Sequence, residues 1–153
     1  MKIAVGSDEK TALTDAVIRN LRGRGHEVIL FGPLQYAEQF WPQVARKVAE
    51  AVAANDVDEG ILFCWTGTGV SIAANKVPGI RAALCDDAET ARGARLWNNA
   101  NVLCLSIRRT SEVRAGEILD SWFNTAYEPN EVDDTCLAQV AALDEAYRRR
   151  EET

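Results

Sequence analysis

The sequence predicts an α/β chain: five parallel strands in one sheet, with helices covering both faces. Two observations carry this. Short β-rich apolar runs alternate with segments of helical periodicity. The runs are also continuous rather than alternating, as expected of strands buried on both sides.

The elements follow in order. Residues 2–6 (KIAVG) read as the first strand, and residues 11–23 as a helix, with Leu13, Ala16, Val17 and Leu21 near helical spacing. The stretch GRGH ends that helix, EVILF (27–31) is the second strand, and GPLQYAEQFWP is a loop. Residues 43–54 form a helix, and GILFC (60–64) is the third strand. TGTGVSIAANK runs from a glycine loop into a helix. IRAALC (80–85) is the fourth strand, followed by a helix near 87–97, and NVLCLS (101–106) is the fifth. Helices are expected at 111–123 and 134–149, the last closing on a charged tail, with YEPNEVDD (127–134) as its linker.

The chain has 153 residues, which suits a single domain spanning 1–153. Its 47% apolar and 26% charged content is that of a globular protein. A formal net charge of −6 argues against nucleic acid as the main partner, because a phosphate backbone needs a basic face. A small phosphorylated ligand stays possible, since it needs only a local positive site. No run has the length of a membrane span, and MKIAVG has no leader pattern, so the expectation is a cytoplasmic protein. Cys64, Cys85, Cys104 and Cys136 form no CxxC pair and read as free thiols. One histidine, His26, makes a zinc site improbable.

In a parallel sheet, ligands bind at the carboxyl ends of the strands. That singles out GSDEK, CWTGTG, CDDAE and SIRRT. In CWTGTG, Cys64 ends a strand, and Gly67 and Gly69 let the backbone turn and present amides to negative charge. Such a field favours a thiolate over a thiol. A thiolate beside an anion hole is equipment for taking a proton from carbon next to a carbonyl, with the hole holding the enediolate oxygen. Read alone, the pattern also fits a cysteine that simply packs in the core.

The run CWTGTGVSIAANKVPGIRAALC, the early GSDE, the WP at 41–42 and WNNANVL at 97–103 occur together and in order. With their spacing, these segments resemble the ribose-5-phosphate isomerase B and galactose-6-phosphate isomerase family over roughly residues 1–127. The resemblance implies a Rossmann-like three-layer sandwich. It also implies a homodimer, possibly paired into a tetramer, with active sites at the subunit interface. The implied reaction interconverts an aldose and a ketose, usually phosphorylated, without metal or organic cofactor. By position, Cys64 is then the base, with Thr66 as its polar partner. The amides of Gly67, Thr68, Gly69, Val70 and Ser71 and the Asn98 side chain would steady the enediolate. Asp8 would hold sugar hydroxyls and Arg108 would contact phosphate.

Three positions depart from the family's pattern. Glu9 and Trp97 stand where it usually has histidines, the second associated with opening the sugar ring. Tryptophan cannot do this, because its indole N–H only donates. The third is NEVDDTCLAQV, which replaces a segment with phosphate-binding arginines. Three expectations follow: a four-carbon sugar phosphate that needs no ring opening, an unphosphorylated sugar, or Glu9 taking over the acid–base role. Arg108, with Arg109 next to it and Lys10 in the first loop, places the sugar phosphate ahead of a neutral sugar. A non-catalytic sugar-binding or regulatory subunit is the alternative.

Other residues have plainer readings. His26 reads as a solvated turn residue; Cys85, Cys104 and Cys136 as packing residues; Asp86 and Asp87 as helix-capping carboxylates. Trp41 and Trp65 read equally as core or as pocket wall.

Overall fold

The computed structural model describes residues 1–148. Its strands are β1 (Lys2–Ser7), β2 (Glu27–Phe31), β3 (Glu59–Cys64), β4 (Ala82–Leu84) and β5 (Val102–Ser106). The helices are α1 (Ala12–Gly23), α2 (Trp41–Ala53), α3 (Thr68–Ala74), α4 (Ala88–Leu96), α5 (Glu112–Asn124) and α6 (Glu131–Arg148). Residue 149 and the end of the charged tail lie outside the described residues. No helix among the described residues is long and apolar enough to cross a membrane.

All five strands pair in parallel, in the order β2-β1-β3-β5-β4. Side chains alternate across the sheet. Ile3, Val5, Ile61, Phe63, Leu103 and Leu105 pack under α1, α4 and α5. Ala4, Leu62, Cys64, Val102 and Cys104 pack under α2 and α3. This is the expected three-layer α/β sandwich, and β3 is buried along its whole length. The order reverses between β1 and β3, and such a switch point opens a crevice at the strands' carboxyl ends.

Some boundaries differ from expectation for local reasons. Pro42 pre-sets helical φ, so α2 begins at Trp41 rather than at residue 43. Asn130 accepts from the Asp133 N–H at 2.9 Å, which starts α6 three residues early. GPLQ, read as loop, makes a short 3-10 helix, Gly32–Gln35. Asp87 caps α4 as expected, accepting from Thr90 N–H at 2.7 Å. His26 is not simply solvated. Its ring packs 4.7 Å from that of Phe123, and burial together with the amino terminus holds it below the usual histidine range.

Helix α6 has no buried residue, so the packing expected of Cys136 is absent within this chain. The helix is tied to the domain through Asp144, which accepts from Gly79 N–H at 2.8 Å. Val132, Val140 and Leu143 stay exposed.

Candidate active site

Three loops meet at the carboxyl edge. Register places Ser7 of β1 beside Phe63, and Cys64 beside Ser106 of β5. The loops after β3 and β5 are then laced together. Ile107 N–H donates to Cys64 O and Arg108 N–H to Trp65 O, both at 3.0 Å. The buried Ser106 hydroxyl donates to Trp65 O at 3.0 Å and accepts from Arg109 N–H at 3.1 Å. Ser106 therefore fixes the peptide directly after Cys64, a role hidden in the sequence inside SIRRT.

Cys64 ends β3 with 5% of its surface exposed, at the rim of the core under α3. Beyond it, Gly67 has φ +75°, the left-handed region that favours glycine, and starts α3. A β-carbon there would stand 2.9 Å from the Leu105 carbonyl carbon and 3.0 Å from Ser106 N, both in the β5 backbone. Replacing Gly67 with alanine is expected to cost about 2 kcal/mol or more in stability, from left-handed strain plus overpacking. Denaturant unfolding would measure it, and a neutral outcome would mean that the loop can move off β5.

The Ser71 N–H bonds back to Gly67 O at 3.3 Å, and the Ser71 hydroxyl turns inward to Cys104. The amides without intrahelical acceptors are those of Thr68, Gly69 and Val70, while the Val70 side chain is core. The Thr66 and Thr68 hydroxyls are 2.7 Å apart and exposed above the loop. The Trp41 ring lies against Gly69, where a β-carbon would meet it at 3.1 Å, and stays partly exposed rather than joining the core. Trp65 stays exposed.

On the β1 side, the Ser7 hydroxyl donates to Glu9 O at 2.6 Å and accepts from Glu9 N–H at 3.1 Å, shaping the loop. Asp8 is half-buried. Burial pushes its carboxyl above the usual range, a backbone N–H offsets part of this, and Glu9 adds to the rise. Asp8 also walls a cavity of about 400 Å³ with Pro33, Glu38, Gln39, Phe40 and Gln43. On the β5 side, Arg108 is exposed and in no ion pair among the described residues. Lys10 pairs with Asp15, and Arg109 with Asp86 at 3.4 Å, so their charges are already matched.

Asn98 is not among these groups. It follows α4, which runs back to the amino edge of the sheet. There Asn101 O accepts from Gly60 N–H at 3.0 Å, and Arg81 Nε donates to Asn99 O at 2.8 Å. Gly60 and Cys64 lie four residues apart on one strand, roughly 13 Å. One chain thus holds Asn98 and Cys64 at opposite edges. Trp97 beside it folds back over Gly93, with the Arg92 guanidinium 5.6 Å above its ring.

Known proteins are similar to this chain in sequence and in fold. The family model described as Ribose/Galactose Isomerase matches residues 3–139. Ribose-5-phosphate isomerase B of Escherichia coli is 41% identical over 128 residues, covering 83% of this chain and 86% of that protein. D-erythrulose-4-phosphate isomerase 2 of Mycolicibacterium smegmatis is 34% identical over 151 residues, covering 92% and 99%. The solved structure of Clostridium thermocellum ribose-5-phosphate isomerase B superimposes with a TM-score of 0.89 at 39% identity, covering 96% of this chain and 99% of that one. The coverage is nearly end to end, and the motif around Cys64 lies inside it. The chain therefore belongs to the ribose/galactose isomerase family, and with it to the aldose–ketose isomerases.

Proposed function

We propose that this protein isomerises a small sugar phosphate through an enediolate, with the Cys64 thiolate as the base. The observation that carries the reading is the position of Cys64. It stands at the switch-point edge, one residue before the loop that presents the Thr68–Val70 amides. The sulfur takes the proton from the carbon beside the carbonyl. The electron pair moves into the C1–C2 bond, and the carbonyl oxygen becomes an oxyanion facing those amides. The proton returns to the neighbouring carbon while the hydroxyl proton passes from one oxygen to the other, which completes the exchange of aldose and ketose with nothing oxidised or reduced overall. Thr66 lies beside the reacting end, and Asp8 faces the sugar hydroxyls.

Asn98 enters this scheme from a second copy of the chain. The opposite-edge placement of Asn98 and the unburied face of α6 both support a homodimer with shared sites. Arg108 supplies the unmatched cation for an anionic substrate.

For the substrate we favour a four-carbon sugar phosphate, erythrulose 4-phosphate and its aldose isomer. Such a sugar closes no ordinary furanose through its phosphorylated hydroxyl, so it needs no ring-opening group. Trp97, stacked under Arg92, offers no titrating atom for that task. The relatives from M. smegmatis and from Pectobacterium atrosepticum, the latter 36% identical over 130 residues, carry erythrulose-4-phosphate isomerase as their names. Turnover of erythrulose 4-phosphate is expected to exceed that of ribose 5-phosphate and of free pentoses by roughly tenfold or more in kcat/KM. Equal or better use of ribose 5-phosphate would remove the argument from Trp97.

A second reading has one observation behind it. The relative from Clostridium acetobutylicum, 34% identical over 144 residues, is named as a subunit of galactose-6-phosphate isomerase. A chain that only binds sugar would not exchange a C1 proton of any ketose phosphate in deuterated water; the isomerase reading expects exchange by the purified chain alone.

A further inference from the structure

We infer that Arg81 is a positioning residue for the reaction: its guanidinium braces the turn that carries Asn98, so that each chain presents Asn98 to the Cys64 site of its partner. This rests on the proposed isomerase reading, with its shared-site homodimer, and extends it to a residue at the amino edge of the sheet, outside the catalytic loop.

Three observations converge. The first is how the turn from α4 to β5 is held. Trp97 N–H donates to Gly93 O at 2.9 Å, and Ala100 N–H to Ala94 O at 3.0 Å. The Asn101 side-chain oxygen accepts from Arg81 N–H at 2.8 Å, and its amide donates to Gly79 O at 3.0 Å. Within this frame Asn98 is exposed, and its side chain makes no hydrogen bond among the described residues. That arrangement suits a side chain whose partner lies in another chain. The second observation is the backbone at Asn99, whose φ of +43° lies in the left-handed region. Asparagine tolerates this better than most residues, but as a single residue held by its surroundings. Arg81 supplies the hold, because its Nε donates to Asn99 O at 2.8 Å. The third is the setting of Arg81 itself. It is half-buried and in no ion pair among the described residues. Burial, and then the nearby Arg95, pull its guanidinium below the usual arginine value, while Asp144 pushes back. With no carboxylate to bind, the cation directs its donors at carbonyls: Asn99 O through Nε, and Gly79 O through Nη1 at 3.3 Å.

Arg95 holds the same turn from its other side, through Ala100 O, but is committed to Glu59. Arg81 has no such commitment. Its planar guanidinium reaches two carbonyls at once, which a lysine ammonium on a flexible stem does not reproduce. Without it the Asn99 peptide can relax, and Asn98 moves with it. A shift of about 1 Å is enough to weaken a hydrogen bond aimed at the enediolate oxyanion. The effect falls in the partner's site, because one chain holds Asn98 and Cys64 at opposite edges of the sheet.

The test uses Arg81→Lys and Arg81→Gln in the full chain, alone and in an Asn98→Ala background, with folding checked by circular dichroism. Rates are measured on whichever of erythrulose 4-phosphate and ribose 5-phosphate turns over faster. Alone, each variant should lower kcat by about tenfold or more, with KM changed less than about twofold. In the Asn98→Ala background the same substitutions should lower it less than about twofold, because no Asn98 is left to position. A brace that serves stability alone would lower activity by the same factor in both backgrounds. The second arm co-expresses Arg81→Lys and Cys64→Ser chains under different affinity tags and purifies the mixed dimer. One of its sites then joins an intact Cys64 to an Asn98 held by an intact Arg81, so its activity should be about half that of wild type. This recovery also shows that the Arg81→Lys chain folds and supplies its Cys64. If Arg81 served only its own chain's site, the mixed dimer would keep about a twentieth. That result, equal factors in both backgrounds, wild-type kcat in both Arg81 variants, or a chain that purifies only as a monomer overturns the inference. Failure of the isomerase reading looks different: there the Cys64→Ser homodimer turns over sugar as fast as wild type, and the inference falls with it.

Discussion

Replacing Cys64 with serine is expected to lower kcat by about two to four orders of magnitude, the usual range for losing a positioned general base. Serine keeps the shape of the side chain, so the rim packing under α3 survives and the sugar phosphate should still bind, with its Kd changed only severalfold. The alcohol does not ionise usefully near neutral pH, so proton transfer should fail while the amides of Thr68, Gly69 and Val70 stay in place. Exchange with deuterated solvent of the aldose C2 proton, or of a ketose C1 proton, reads this step directly, and both exchange and net turnover should fall together. The other thiols cannot substitute. Burial, reinforced by Asp87 and Asp86, pushes the Cys85 thiol up to about 12. Cys104 is fully enclosed and is pushed up as well by burial, and Cys136 lies out on α6. Turnover within a few-fold of wild type in the serine protein would exclude Cys64 as the base.

The largest stability loss is expected away from the carboxyl edge, for Arg95→Leu. Glu59 begins β3 at the amino edge and is buried. Its carboxylate meets the Arg95 guanidinium at 2.9 Å and accepts from the Trp122 indole N–H at 2.7 Å, and Arg95 also stacks 5.1 Å from the Trp122 ring. Removing one partner of a buried pair leaves the other charge uncompensated and costs about 3–5 kcal/mol. The loss reaches the site too, because Arg95 also donates to Ala100 O and so holds the turn that carries Asn98.

The pH dependence of that loss has a defined sign. Burial already pushes the Glu59 carboxyl above its ordinary value, while Arg95 and then the Trp122 N–H pull it back. Without Arg95 it rises further, so folding favours the protonated form more strongly. Below the unfolded carboxyl's value, near 4.5, Glu59 is neutral in both states and no bare charge is left inside. The difference in unfolding free energy between variant and wild type should therefore be largest at neutral pH and shrink toward pH 4. Adding Glu59→Gln to the variant should recover part of the loss at pH 7. A difference that is flat with pH and unmoved by Glu59→Gln would show that packing, not charge, sets the cost.

Much of the fold was legible because its signals are local. The unbroken apolar run GILFC announced a strand with two covered faces, and β3 is buried throughout. The helix expected over 43–54 is present as α2, and its Val44, Val48 and Val52 lie against the sheet. The errors were local as well. Pro42 and Asn130 moved helix starts by two or three residues through capping chemistry that periodicity does not weigh.

The sequence by itself determined the class of fold, the loops at the carboxyl ends of the strands, and the glycine turn after Cys64, since each depends on residues adjacent in the chain. Only the tertiary structure decided which distant residues share an edge. It laced Ser106 to Trp65 and matched the charges of Lys10 and Arg109 while leaving Arg108 unmatched. It also carried Asn98 to the far edge of the sheet from Cys64. The reason is that strand order and helix direction, not separation along the chain, set which side chains meet.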